Sequence, residues 1–148
     1  MAREAGADEV VLSDDGWLDE VRGLTGGKGV ELIFDPVGGK RFDDSVRALA
    51  VEGRLLVIGF AEGTIPQVAA NRILLRNISI VGAAWGAFLA HHPEIIEQTQ
   101  LALEQLIAAG HVKPIVGSSF SLEDGADALR ELEQRRATGK IVISIAGD

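Results

Sequence analysis

The sequence predicts an α/β fold, a parallel sheet with flanking helices. Three observations predict it. Short apolar runs alternate along the chain with segments of helical period. The runs are nearly continuous in Val, Ile and Leu, as strands buried on both faces should be. Glycines fall where the runs stop. Such alternation argues for a doubly wound core, expected from about Ala7 to Gly110, with right-handed crossovers.

The elements follow in order. Glu9–Leu12 is predicted as a first strand. Ser13-Asp14-Asp15 offers an N-cap, and Trp17, Leu18, Val21 and Leu24 recur at helical spacing up to Gly26-Gly27. Glu31–Phe34 is the second strand, broken by Asp35-Pro36-Val37-Gly38-Gly39. Phe42, Val46 and Leu49 mark a helix expected to close at Gly53. Leu55–Ile58 is the third strand, ended by Gly59. Ile73-Leu74-Leu75 is a short helical turn, and Ser79–Val81 a fourth strand ended by Gly82. Pro93 and Glu94 open a long helix with Ile96, Leu103, Leu106 and Ile107 on one face and Gly110 as its C′ residue. From Lys113 the texture changes to short extended pieces, Lys113–Val116 and Ser119-Phe120. A capping-box-like start at Ser121–Asp124 leads into a helix expected to run to Gly139, and a strand over Lys140–Ile145 closes the chain. The expected division is therefore residues 1–112 as one α/β domain and 113–148 as a separate C-terminal segment.

Composition narrows the function. The 148 residues are one domain's worth, and the hydrophobic fraction of 47% suffices for a core. Cysteine is absent, which excludes disulfides, thiolate zinc sites and a Cys nucleophile. The formal net charge of −8 argues against nucleic-acid binding, which needs clustered Lys and Arg. No apolar run approaches membrane-spanning length and no signal peptide is visible, so no membrane partner is expected and the default location is cytoplasmic.

Tempting motifs fail on context. Gly26-Gly27-Lys28-Gly29 lacks the Walker spacing and lies between a helix and a strand. A phosphate loop sits between a strand and a helix, so this is a helix terminus. No G-x-G-x-x-G occurs. The adjacent histidines His91 and His92 diverge and have no carboxylate at ligand spacing, so no metal site is assigned. Ser45, Ser118 and Ser119 lack a nucleophile-elbow context, and no catalytic residue is assigned.

What remains are three glycine sites at the carboxyl ends of successive strands: Gly38-Gly39, Gly59, and Gly82 through Gly86. In open α/β sheets ligands lie along that edge, and glycine lets the backbone come close to a flat ligand.

In this order the pieces resemble a known family. Glu4-Ala5-Gly6-Ala7-Asp8, leading to Val11, is similar to a strand entry of medium-chain dehydrogenases. Gly26–Glu31 followed by Ile33–Gly39 resembles the zinc-free, quinone oxidoreductase (NADPH:quinone reductase) branch. Gly53–Phe60, Ile80-Val81-Gly82, Gly110, Lys113-Pro114, Phe120–Leu132 and Gly139–Val142 continue the match over essentially the whole chain.

The resemblance implies a Rossmann-like cofactor domain and hydride transfer from NADPH, with NAD not excluded, to a quinone or another conjugated carbonyl. It places Gly39 near the ribose, Val57, Ile58, Gly59 and Phe60 under the cofactor, and Ala83, Ala84 and Trp85 beside the nicotinamide carboxamide. It also implies a truncated fold. The first strands, the glycine-rich loop and the preceding catalytic domain of the family are absent from this sequence. Cofactor binding by the chain alone is then doubtful, and the isolated chain is expected to be inactive. The strand Glu31–Phe34 would present an open edge, which points to a homodimer unless Glu9–Leu12 pairs with it instead. The alternative reading is a non-catalytic dimerisation or binding module derived from the fold. A Rossmann-like methyltransferase is less favoured, because its glycine-rich turn is missing too.

Overall fold

The computed structural model describes residues 1–145. These divide into two compact units, Met1–His92 and a second that begins at Pro93.

The first unit is α/β and its sheet is entirely parallel. Helix α1 (Trp17–Leu24) leads to strand β1 (Val30–Asp35), helix α2 (Phe42–Ala48) to β2 (Leu49–Val57), and helix α3 (Ala70–Arg76) to β3 (Ser79–Gly82). A 3-10 turn, Gly39–Arg41, precedes α2, and helix α4 (Trp85–His91) follows β3. The strand order is β1-β2-β3, with Ile33 opposite Leu55 and Leu55 opposite Ile80.

One face of this sheet makes the core. Phe42 and Val46 from α2 pack with Leu49, Leu55 and Ile78, and Ile33, Val57, Val68, Ile73 and Ile80 close around them. Helical spacing from Phe42 to Val46 puts both on one side, and alternation along the strands brings Ile33, Leu55 and Ile80 to the same face. The opposite face carries the row Phe34–Leu56–Val81. Phe34 is 65% exposed, and Leu32 beside it 58%. The expectation of strands buried on both faces is corrected here: among the described residues the helices α2 and α3 cover one face only.

Four further expectations are corrected. Glu9–Leu12 forms no strand. It pairs with no strand among the described residues, Leu12 is exposed, and Arg3 ties the segment locally, through Asp8 O at 2.9 Å and the Glu9 carboxylate at 2.8 Å. An extended segment without a neighbour has no ladder bonds to hold it. Helix α1 starts from Gly16, with no side-chain cap from Ser13, Asp14 or Asp15. Helix α2 ends at Ala48, because Leu49 is already extended; the left-handed residue before the regular part of β2 is Glu52, at φ 63°, and Gly53 sits inside the strand. The last helix stops at Glu133 and Arg135 takes φ 56°, so it does not reach Gly139.

The second unit begins with helix α5 (Glu94–Ala108). Gly110 ends it as expected, at φ 74°: its N–H bonds Ile107 O and the His111 N–H bonds Leu106 O, each at 2.9 Å. This pair of bonds is the Schellman closure, which needs the left-handed conformation glycine adopts without strain. Strand β4 (Val116–Ser121), helix α6 (Gly125–Glu133) and strand β5 (Lys140–Ser144) follow as a parallel βαβ unit, with Phe120 opposite Ile143.

Candidate dinucleotide edge

The carboxyl ends of β1, β2 and β3 form one connected edge. Its first loop is set by Asp35, the only buried polar or charged residue among those described. Its Oδ1 accepts the N–H groups of Val37 and Gly38, each at 2.9 Å. That doubly bonded carboxylate turns the chain sharply after β1. Gly38 and Gly39 follow at φ 65° and 68° and are buried.

The loop after β2 is laced onto this turn. The Ile58 N–H bonds Asp35 O at 2.9 Å, the Ala61 N–H bonds Pro36 O at 3.2 Å, and the Glu62 N–H bonds Val37 O at 3.1 Å. The Glu62 carboxylate accepts the Lys40 N–H at 2.6 Å. A Cβ at Gly39 would fall on that carboxylate, and one at Gly38 would come within 2.9 Å of the Phe60 ring. Both glycines are thus required by backbone angle, and the space beside them is taken by the Phe60 ring and the Glu62 side chain.

The third loop joins through the Ala83 N–H, which bonds Val57 O at 2.9 Å. Ala84 then caps α4, and Trp85 opens it, half exposed and stacked on Phe88 with ring centroids 5.9 Å apart. Phe88 contacts the His92 ring at 4.4 Å.

The residues singled out in the sequence are therefore placed as follows. Gly39 lies under Glu62; Val57 ends β2; Ile58, Gly59 and Phe60 run along the first loop; Ala83 hangs from Val57, and Ala84 and Trp85 lead away into α4. The first six are linked by backbone bonds or close approach, whereas the Trp85 ring stacks on Phe88 of its own helix. Sequence reasoning missed Asp35 and Glu62. Asp-Pro-Val-Gly carries an Asx-turn signal that could have revealed Asp35. Nothing in the sequence marks Glu62.

Chemically the edge presents backbone. Its two carboxylates are engaged by N–H groups, and among the described residues no three His, Asp or Glu side chains are grouped to hold a metal. A close-approach backbone rim suits a flat ring and a ribose. Nothing in the sequence supplies the glycine-rich turn that cradles a pyrophosphate.

A sequence profile described as zinc-binding dehydrogenase matches residues 5–143. Quinone oxidoreductase-like protein 2 of Bos taurus is 38% identical over 98% of this chain, which spans 42% of that relative's length. The structure described as a "probable oxidoreductase" from Mycobacterium abscessus is 40% identical, with a TM-score of 0.79 over 97% of this chain and 42% of that one. A mycobacterial protein solved in complex with NADPH superimposes with a TM-score of 0.80 at 29% identity, over 97% of this chain and 46% of its own. The chain belongs to the zinc-binding dehydrogenase family of medium-chain oxidoreductases, and within it resembles the quinone oxidoreductases.

Proposed function

We propose that this chain supplies part of the cofactor domain of an NAD(P)H-dependent oxidoreductase of the zinc-free branch, whose substrate is a quinone or another conjugated carbonyl. The observation that carries the reading is the single edge made by the three strand-end loops, bonded from Asp35 to Ala83. The mycobacterial relative described in complex with NADPH, and the mammalian one named quinone oxidoreductase-like, support it. When bound, the cofactor supplies the hydride. The chain's own part is positional: Gly39 at the ribose, Val57 to Phe60 beneath the ring, and Ala83, Ala84 and Trp85 at the carboxamide. NADP is the preferred form of the cofactor, with NAD as the alternative, and the cytoplasm the proposed compartment. Among the described residues no helix is long and apolar enough to cross a membrane.

Positioning of this kind is worth roughly 7–11 kcal/mol of barrier when both reactants are held. The isolated chain has half a cradle, so weak binding and negligible turnover are expected. The test is saturation-transfer NMR with NADPH on the chain alone, alongside a quinone-reduction assay. Transfer to nicotinamide and ribose protons, without turnover, supports the proposal. No transfer sinks the cofactor assignment, and turnover on the order of 1 per second or faster sinks the inactivity.

A second reading, a non-catalytic dimerisation or binding module, draws on a different observation: the open β1 edge together with the uncovered Phe34–Leu56–Val81 row.

A further inference from the structure

At the other end of the sheet lies a cavity of about 540 Å³, lined by Arg22, Val46, Arg47, Arg72, Leu75 and Arg76 among others. In a chain of net charge −8, four of the 14 cationic side chains converge there. Arg22, Arg47 and Arg76 stand in the last turns of α1, α2 and α3. Each helix runs back to the amino end of the strand that follows it, so this cluster occupies the edge opposite the glycine loops.

Part of the arrangement is ordinary helix chemistry. Cations complement the negative C-terminal ends of helices. Arg22 and Arg76 both donate to the Arg47 carbonyl oxygen, at 3.4 and 3.0 Å. That accounts for few of the five N–H donors each guanidinium carries. Asp19, Asp44 and Asp43 pair with Arg22, Arg47 and Arg72 at 3.8, 3.1 and 3.0 Å. Arg76 has no carboxylate at ion-pair distance among the described residues. Two guanidinium groups meeting on one carbonyl are like charges held together. They are held beside a void of the size small-molecule sites have, on the order of 300–1,000 Å³.

We propose that this cavity is a binding site for a small phosphorylated ligand carrying two or more adjacent phosphate groups, separate from the dinucleotide edge. Guanidinium forks approaching from three helices suit a tetrahedral anion with oxygens in several directions; a carboxylate offers its oxygens in one plane. The apolar walls, Val46 and Leu75, leave room for a short carbon skeleton. The groups are partly exposed, so affinity falls as salt rises.

The test is calorimetric titration of the full chain with pyrophosphate at low salt, repeated with NADPH present. The expected result is saturable binding that is unaffected by NADPH. Affinity should drop about tenfold or more in Arg72→Gln/Arg76→Gln, and hold in Arg3→Gln/Arg130→Gln, which removes the same two charges at residues outside the cavity lining. Arg76→Gln alone serves if the double variant unfolds, because the Arg47 carbonyl then keeps its Arg22 contact. Three results overturn the proposal: no saturable binding, binding that survives the arginine variants, or one-for-one competition by NADPH. A failure of NADPH to bind at the glycine edge leaves it standing.

Discussion

Asp35 is buried at 8% exposure because its oxygen replaces water for two N–H groups at once. Asp35→Ala leaves both donors unpaired in a tight turn. The expected cost is about 1–3 kcal/mol of stability, read as a lower urea midpoint, while Asp35→Asn keeps an acceptor and loses less. Equal midpoints for Asp35→Ala and the parent chain would show that the turn needs no carboxylate. At this scale the sequence was partly legible. Gly38 and Gly39 announce a positive-φ turn, and the structure adds that Phe60 and Glu62 occupy the room their side chains would need. Glu62 was invisible, because a lone glutamate in a loop has no pattern; its role comes from a neighbour far off in sequence, the Lys40 N–H.

Among elements, β2 is central and β1 lies at an edge, and the same residue type has different weight in each. Leu55 is wholly buried, and Leu55→Ala is expected to cost about 2–5 kcal/mol. Leu32 points from the uncovered face, and Leu32→Ser should stay within about 0.5 kcal/mol. Parallel urea melts compare the two; a comparable loss for Leu32→Ser would mean that the open face is covered in solution. Strands β1, β2 and β3 were legible because their apolar runs are short and bounded by glycine. Glu9–Leu12 was not: its apolar Val10, Val11 and Leu12 promise a strand, but a strand exists only by pairing, and propensity cannot supply a neighbour. Likewise Gly53 advertises a helix end, whereas the helix had stopped at Ala48 and left the left-handed angle to Glu52.

The whole molecule brings together two unsatisfied features, the open β1 edge and the apolar row Phe34–Leu56–Val81. Unpaired strand edges are templates for another chain, and β3 is the opposite edge of the same sheet. We propose self-association as a symmetric homodimer, since an isologous contact closes at two chains. Light scattering over a dilution series is expected to give twice the sequence mass of 15.7 kDa; a mass that stays at the monomer value throughout would exclude a stable dimer. The parallel order of the sheet has a consequence in time as well. No strand here meets its partner by a hairpin, for each pairing waits on a helix laid down between. Long loops must close before the first ladder bond rewards them, and sheets of this kind assemble slowly. A nascent copy therefore shows its bare strands to every other copy before it can show them to itself, and the cell's concentration of this chain sets a race between folding and sticking.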